Sequence, residues 1–136
     1  MKREIKERYD FAEVVDIIRD LRAEGGCPWD RAQTFESLES CLTNETQEVF
    51  AAVGAKDWQN LCEEWGDILL QVLLNAQIAE EAGYFTIDDV ITSLGRKMIR
   101  RHPHVFGDEE IASEEEALVR WEEIKREERA KKGGKP

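Results

Sequence analysis

Leu61-Cys-Glu-Glu-Trp-Gly-Asp-Ile-Leu-Leu-Gln-Val-Leu-Leu-Asn-Ala76 decides the fold. Leu61, Ile68, Leu69, Leu70, Val72, Leu73, Leu74 and Ala76 clothe a helix at about 100° per residue almost all round, the pattern of a buried helix. One narrow stripe interrupts it: Glu64, Asp67, Gln71 and Asn75, spaced i, i+3, i+7 and i+11. Asp57 is the expected N-cap, and Gly83 ends the helix after about Ala82.

Working outward, the remaining chain also reads as helices, without strand alternation or internal repeats. A first helix begins at Asp10, with Glu13 completing a capping box, and Phe11, Val14, Val15, Ile18 and Leu21 share one face. Gly25-Gly26 stops it, and Cys27 to Gln33 is expected as a loop. The next helix spans about Phe35–Val53 and ends at Gly54; Leu38, Leu42, Val49 and Val53 form its stripe. After the long helix, a fourth starts at Thr86, carries Ile87, Val90, Ile91, Leu94 and Met98 on one face, and ends at Pro103. A loop from His102 to Glu110 precedes a last helix opened by Ser113 and Glu116. The expectation is an all-α helical bundle, one domain over 1–136 with a helical core at about 10–130. Residues 131–136 are expected to fray.

The chain has 136 residues, 30 acidic against 19 basic, for a net charge of −11. That field repels nucleic acid and anionic membranes, so neither is an expected partner. No apolar run reaches the roughly 20 residues of a membrane span. The charged start, Met1 to Arg8, carries no apolar h-region, so no signal peptide is expected. Three cysteines (Cys27, Cys41, Cys62) without CxxC spacing suit a reduced, cytoplasmic setting.

Carboxylates fall where a core should be. Glu45 lies inside the stripe of the second helix, between Leu42 and Val49, and Glu48 lies at its border. Glu64 and Asp67 face inward on the next helix. Neither helix contains a lysine or arginine. ExxE pairs are commonplace on solvated surfaces, but two pairs on the buried sides of adjacent helices need compensation. Bound cations supply it. The donors are hard oxygens without His or Cys, which selects Mg²⁺ or Mn²⁺ over zinc or di-iron.

Lys97, Arg100 and Arg101, with Arg96 beside them, concentrate positive charge at a helix C-terminus, more than the macrodipole requires. Facing the carboxylates, they form the second half of a polyphosphate clamp. His102 and His104 read as loop packing or capping groups, with a phosphate contact as the lesser alternative. Among the tryptophans, Trp65 is expected in the core, Trp58 as a staple and Trp29 as a plug at the bundle end. Trp121 is either a packing anchor or a base platform.

At these residues the chain resembles the MazG family of all-α nucleoside triphosphate pyrophosphohydrolases, from about Phe11 to Ala130. The resemblance rests on Gly26-Cys-Pro-Trp-Asp-Arg-Ala-Gln-Thr34, Asn44-Glu-Thr-Gln-Glu-Val49, Glu64-Trp-Gly-Asp-Ile-Leu-Leu-Gln-Val72, Lys97-Met-Ile-Arg-Arg-His-Pro-His-Val-Phe106 and Arg120-Trp-Glu-Glu-Ile-Lys-Arg-Glu-Glu-Arg129. These look most like the first of two domains in longer members, so the chain is a half-length relative or a domain of one. The resemblance implies a homodimer that hydrolyses nucleoside triphosphates to monophosphate and pyrophosphate with Mg²⁺. It implies Glu45, Glu48, Glu64 and Asp67 as metal ligands and catalytic set. Lys97 and Arg101, with Arg100, would contact phosphate, and Trp121 and Lys125 would reach the nucleotide across the dimer. Asn44 departs from the family's EExxE pattern, where it replaces the first Glu. That predicts slowed turnover, and leaves open a non-catalytic nucleotide- or metal-binding module. A narrower dUTP or dCTP pyrophosphatase is a further alternative.

Overall fold

The computed structural model describes residues 1–133; of the tail expected to fray, residues 134–136 lie outside the described part. The described residues form seven helices and no strand: α1 Phe11–Arg22, α2 Pro28–Ala32, α3 Glu39–Ala55, α4 Trp58–Glu81, α5 Ile87–Arg101, α6 Pro103–Phe106 and α7 Glu114–Lys131. The fold class is all-α, as the periodicity predicts. Among the described residues no helix is long and apolar enough to cross a membrane, and all three cysteines are free thiols.

Chain contacts divide into two compact units, Met1–Ile87 and the chain from Asp88 onward. In the first unit α4 is the hub, packed by α3 and α1, with α2 against α1. Its core is Val15 and Ile18 of α1, Leu38, Val49 and Ala52 from the α3 region, and Leu73, Leu74, Ala76 and Ala79 of α4. Both expected caps are in place. Asp10 accepts from Glu13 N while the Glu13 carboxylate accepts from Asp10 N, and Asp57 accepts from Asn60 N at 3.2 Å. Between α3 and α4 the chain turns through Lys56, whose φ of 54° lies in the left-handed region. That conformation is strained for a side chain with a Cβ, and its amide bonds to the carbonyls of Ala52 and Val53.

Four expectations are corrected. The stretch expected as a loop contains α2, started by Pro28 at its first turn, where a missing N–H costs nothing. α1 ends at Arg22, before the glycines, because the backbone turns back on itself there: Cys27 N donates to Leu21 O at 2.9 Å. α3 begins at Glu39 rather than Phe35, since Thr34 and Ser37 tie the preceding turn through side-chain hydrogen bonds. The expected loop after His102 holds the single turn α6.

Arg22 organises the α1–α2–α4 junction. Its side chain is buried, donates through Nε and Nη2 to both oxygens of Glu81 at 2.8 and 3.0 Å, and reaches the carbonyls of Asp30 and Gln33. The pairing holds the Glu81 carboxyl below its ordinary value. A buried guanidinium is tolerable only with such complete pairing.

In the second unit α7 is tied by side chains. Glu128 accepts from Arg101 Nη2 at 2.9 Å and from Arg100 Nε, and Arg120 grips Glu109 with two bonds of 2.9 and 3.0 Å. Ser113 accepts from Glu116 N, but the Glu116 carboxylate bonds Ala112 N instead of closing a capping box on Ser113. Ile124 is its buried apolar side chain. The expected face of α5 is left half covered: Ile91 is 46% and Leu94 56% exposed.

Two substitutions test this frame. A Cβ on Gly26 would sit 2.4 Å from the carbonyl oxygens of Asp20 and Leu21, whereas one on Gly54 meets nothing within 4 Å. Gly26→Ala should cost about 1–3 kcal/mol in urea unfolding, and Gly54→Ala, in α3, should add about 0.5–1 kcal/mol. Glu128, held at about 2 by Arg101 and Arg100, stabilises the fold above its ordinary value of 4.5, and the gain fades as pH falls from there towards 2. Glu128→Gln should therefore cost about 1 kcal/mol at pH 7 and almost nothing at the acid end of that window, read by unfolding at both pH values.

Candidate functional site

The α3–α4 hairpin brings carboxylates of two helices together. Glu45, Glu64 and Asp67 each offer an oxygen, and the three oxygens lie within 4.8 Å of one another. All three residues are partly buried. Glu48, one turn after Glu45, is exposed and stands outside this trio, as does the exposed Asn44. The stripe continues inward along α4. Gln71 is 6% exposed, and its Oε1 is buried without a hydrogen-bond partner. Asn75 Nδ2 donates to the Gln71 carbonyl at 2.7 Å.

Electrostatics mark the trio as incomplete. The Glu64 carboxyl is raised above its ordinary value, first by desolvation and then by the charges of Asp67, Glu48, Glu45 and Glu63. No ion pair joins any of the three to a basic residue among the described residues. Such a set fits a divalent cation. Donors at about 2.0–2.1 Å from an octahedral ion lie no more than about 4.2 Å apart, so small side-chain movements from the present spacing suffice. The orphaned oxygen of Gln71 is a fourth hard donor on the same face of α4, one turn beyond Asp67.

The second unit holds the cations, and here linear proximity misleads. Lys97 and Arg101 share one face of α5, four residues apart, while Arg96 and Arg100 share another. Arg96, Arg100, Lys131 and Lys132 line one cavity of about 450 Å³, together with Asp89, Thr92, Ser93 and Glu128. Arg101 shares Glu128 with Arg100 but stays out of that lining: its guanidinium carbon sits 4.9 Å from the Trp121 ring centroid, and its side chain is 14% exposed. Trp121 is thus anchored by Arg101 and by an edge contact with His102, at 5.3 Å and 66°. Lys125 lies 3.9 Å from Glu122. Lys97 is partly buried and has no ion pair among the described residues.

The aromatic expectations need correction. Trp65 is 56% exposed and not in the core, because position 65 lies on the side of α4 away from α1 and α3 packing; Trp29 is 54% exposed and plugs nothing. Leu42 and Val53, expected in the α3 stripe, are 43% and 48% exposed. The pair of Arg22 and Glu81 escaped the reading, because its i+59 separation leaves no local signal.

Comparison with known proteins shows the family. The model of the MazG nucleotide pyrophosphohydrolase domain matches residues 33–106, more than half of the chain. A nucleoside triphosphate pyrophosphohydrolase/pyrophosphatase MazG of Thermotoga maritima is 50% identical over 122 residues, covering 90% of this chain and 46% of that protein. A nucleoside triphosphate pyrophosphohydrolase of Escherichia coli K12 is 44% identical, covering 88% of this chain and 46% of the relative. The uncharacterized protein YabN of Bacillus subtilis is 49% identical, covering 89% of this chain but 25% of its own length. The chain thus spans between a quarter and a half of these curated relatives. The crystal structure of a mazG-related protein from Thermotoga maritima superposes with a TM-score of 0.70 at 35% identity, covering 85% of this chain and 98% of that one. The chain that gathers Glu45, Glu64 and Asp67 on its α3–α4 hairpin belongs to the MazG nucleotide pyrophosphohydrolase domain family.

Proposed function

We propose that residues 1–136 act as one MazG-like domain that hydrolyses nucleoside triphosphates to the monophosphate and pyrophosphate, with Mg²⁺, or Mn²⁺ in its place, held by the α3–α4 carboxylates. The observation that carries this reading is the convergence of three carboxylate oxygens within 4.8 Å on helices that contain no lysine or arginine. Glu45, Glu64 and Asp67 hold the cation. A bound divalent ion supplies charge neutralisation for the phosphates and a lowered pKa for water. Glu48, beside the trio and not part of it, takes the proton of the attacking water as general base. The water oxygen joins a phosphorus of the substrate as the α–β bridging bond breaks, and pyrophosphate leaves. Lys97 and Arg101 meet the charge that develops on the leaving group, with Arg100 near them, and Trp121 and Lys125 contact the nucleoside end.

The working form is a homodimer. Trp58 and Trp65 are 64% and 56% exposed, and Leu69 and Val72 of α4 are each 40% exposed. So much apolar surface on one helix is what a second copy covers. In sedimentation the chain should run at twice its mass, and Trp65→Glu should shift it towards the monomer.

Release of pyrophosphate, measured over a panel of ribo- and deoxynucleoside triphosphates with Mg²⁺, tests the reaction. It also identifies a narrow dUTP or dCTP preference. Mg²⁺ at 100 times its Kd should add about 2.7 kcal/mol to stability. Glu64→Gln and Asp67→Asn should abolish that increment and leave the metal-free protein as stable or more so. Loss of stability in the metal-free variants would show instead that these carboxylates serve the scaffold. Glu48→Gln should keep the increment and lose about 10²-fold or more in rate. Asn44, a residue without charge where the family pattern carries one, favours a second reading, a module that binds without turnover. Asn44→Glu should raise the rate about tenfold, a change of about 1.4 kcal/mol in barrier. Turnover in Asn44→Glu alone would make the second reading the better one.

A further inference from the structure

The cavity of about 450 Å³ in the second unit has two walls. Thr92, Arg96 and Arg100 recur every four residues along α5 and so share one face. Glu128, Lys131 and Lys132, at i, i+3 and i+4, form the other wall at the end of α7. With Ser93 and Asp89, the lining holds four cations, two hydroxyls and two carboxylates, and no purely apolar side chain. That is an excess of two positive charges in a chain of net −11. Glu128 is engaged by Arg100 and Arg101, whereas Arg96, Lys131 and Lys132 have no ion pair among the described residues. The helix macrodipole accounts for Lys131, in the last turn of α7. It does not account for Arg96, which stands five residues before the end of α5.

The complement of such a lining is an anion. Arginine and lysine only donate, and the space far exceeds the roughly 30 Å³ share of one water. Three unpaired cations on two helices suit charge spread over several oxygens, which a phosphate chain carries and a single carboxylate does not. Nucleic acid and anionic membranes offer phosphates too, but the field of a −11 chain repels extended polyanions, so the ligand is small. We infer that this cavity is a second anion site. It takes a chain of two or three phosphates, free or at the tail of a nucleotide, between Arg96 of α5 and Lys131 and Lys132 at the end of α7. It is separate from Lys97 and Arg101, neither of which lines it. An anion held there bridges the two helices and fastens the end of α7 to α5. The site stands whether or not the chain hydrolyses triphosphates.

Calorimetric titration of the full chain with tripolyphosphate tests this, without divalent ions so that the α3–α4 carboxylates recruit no phosphate. Salt at about 0.15 M screens diffuse attraction. Tripolyphosphate should bind about tenfold or more tighter than AMP, whose single phosphate serves one wall. Arg96→Gln combined with Lys131→Gln and Lys132→Gln should cost about tenfold or more in that affinity. Arg96→Lys should keep most of it, and Lys97→Gln should leave it unchanged. ATP in the same titration separates the sources. Binding as tight as tripolyphosphate marks a nucleotide tail and weaker binding marks a free chain, and either upholds the site. The inference is overturned if the triple variant binds tripolyphosphate as the parent does, if Lys97→Gln alone removes the binding, or if AMP binds equally well. A chain that hydrolyses no triphosphate with Mg²⁺ but shows the Arg96-dependent binding keeps this site and loses the reaction. A chain that hydrolyses triphosphates without that binding keeps the reaction and loses this site.

Discussion

The turn at Lys56 and Asp57 fixes the register on which the candidate site depends. Lys56 reverses the chain in a left-handed conformation, and Asp57 at once caps α4. Glu45 lies ten residues before the end of α3, and Glu64 and Asp67 lie six and nine residues after the start of α4. At about 1.5 Å per residue these are comparable distances back along two neighbouring helices, which is how oxygens from both come within 4.8 Å. A turn one residue longer would rotate α4 by about 100° and carry Glu64 and Asp67 off the α3 side. The strain at Lys56 is repaid by that alignment.

Charge is distributed unevenly over this frame. Residues 1–87 carry 18 acidic and 8 basic side chains, and residues 88–133 carry 12 and 10. In the first unit the basic groups serve α1 and its neighbours: Arg19 pairs with Glu80, Arg22 with Glu81 and Arg3 with Asp20. None of these ion pairs involves the trio. Repulsion among Glu45, Glu64 and Asp67 is therefore answered by no ion pair among the described residues, and Glu64, raised first by desolvation and then by its acidic neighbours, records it. In the second unit the balance is closer, and Glu128 answers both Arg100 and Arg101.

Much of this was legible in the residues. Asp10, Asp57 and Gly83 mark helix ends through local chemistry, and a polar stripe on an apolar helix can be counted off directly. The inward carboxylates followed from the same count. What stayed hidden depends on partners distant in sequence. Arg22 looks like any basic residue in a last turn until Glu81 arrives from α4. Trp65 looks like core because apolar residues surround it in the chain, yet its side of α4 faces no other helix of this unit. Arg96 to Arg101 look like one cluster, but helical geometry deals them to different faces. Glu48 matches the motif as well as Glu45 does, and only the packing of α3 separates their surroundings.

The trio also has a folding consequence. Its outermost members are 22 residues apart, on adjacent helices joined by the turn at Lys56, so bringing them together closes a short loop at small entropic cost. Contacts this local form early in a folding reaction. The hairpin therefore gathers its negative charge while most of the chain is still unpacked, and the repulsion among these carboxylates is met before the rest of the fold is in place.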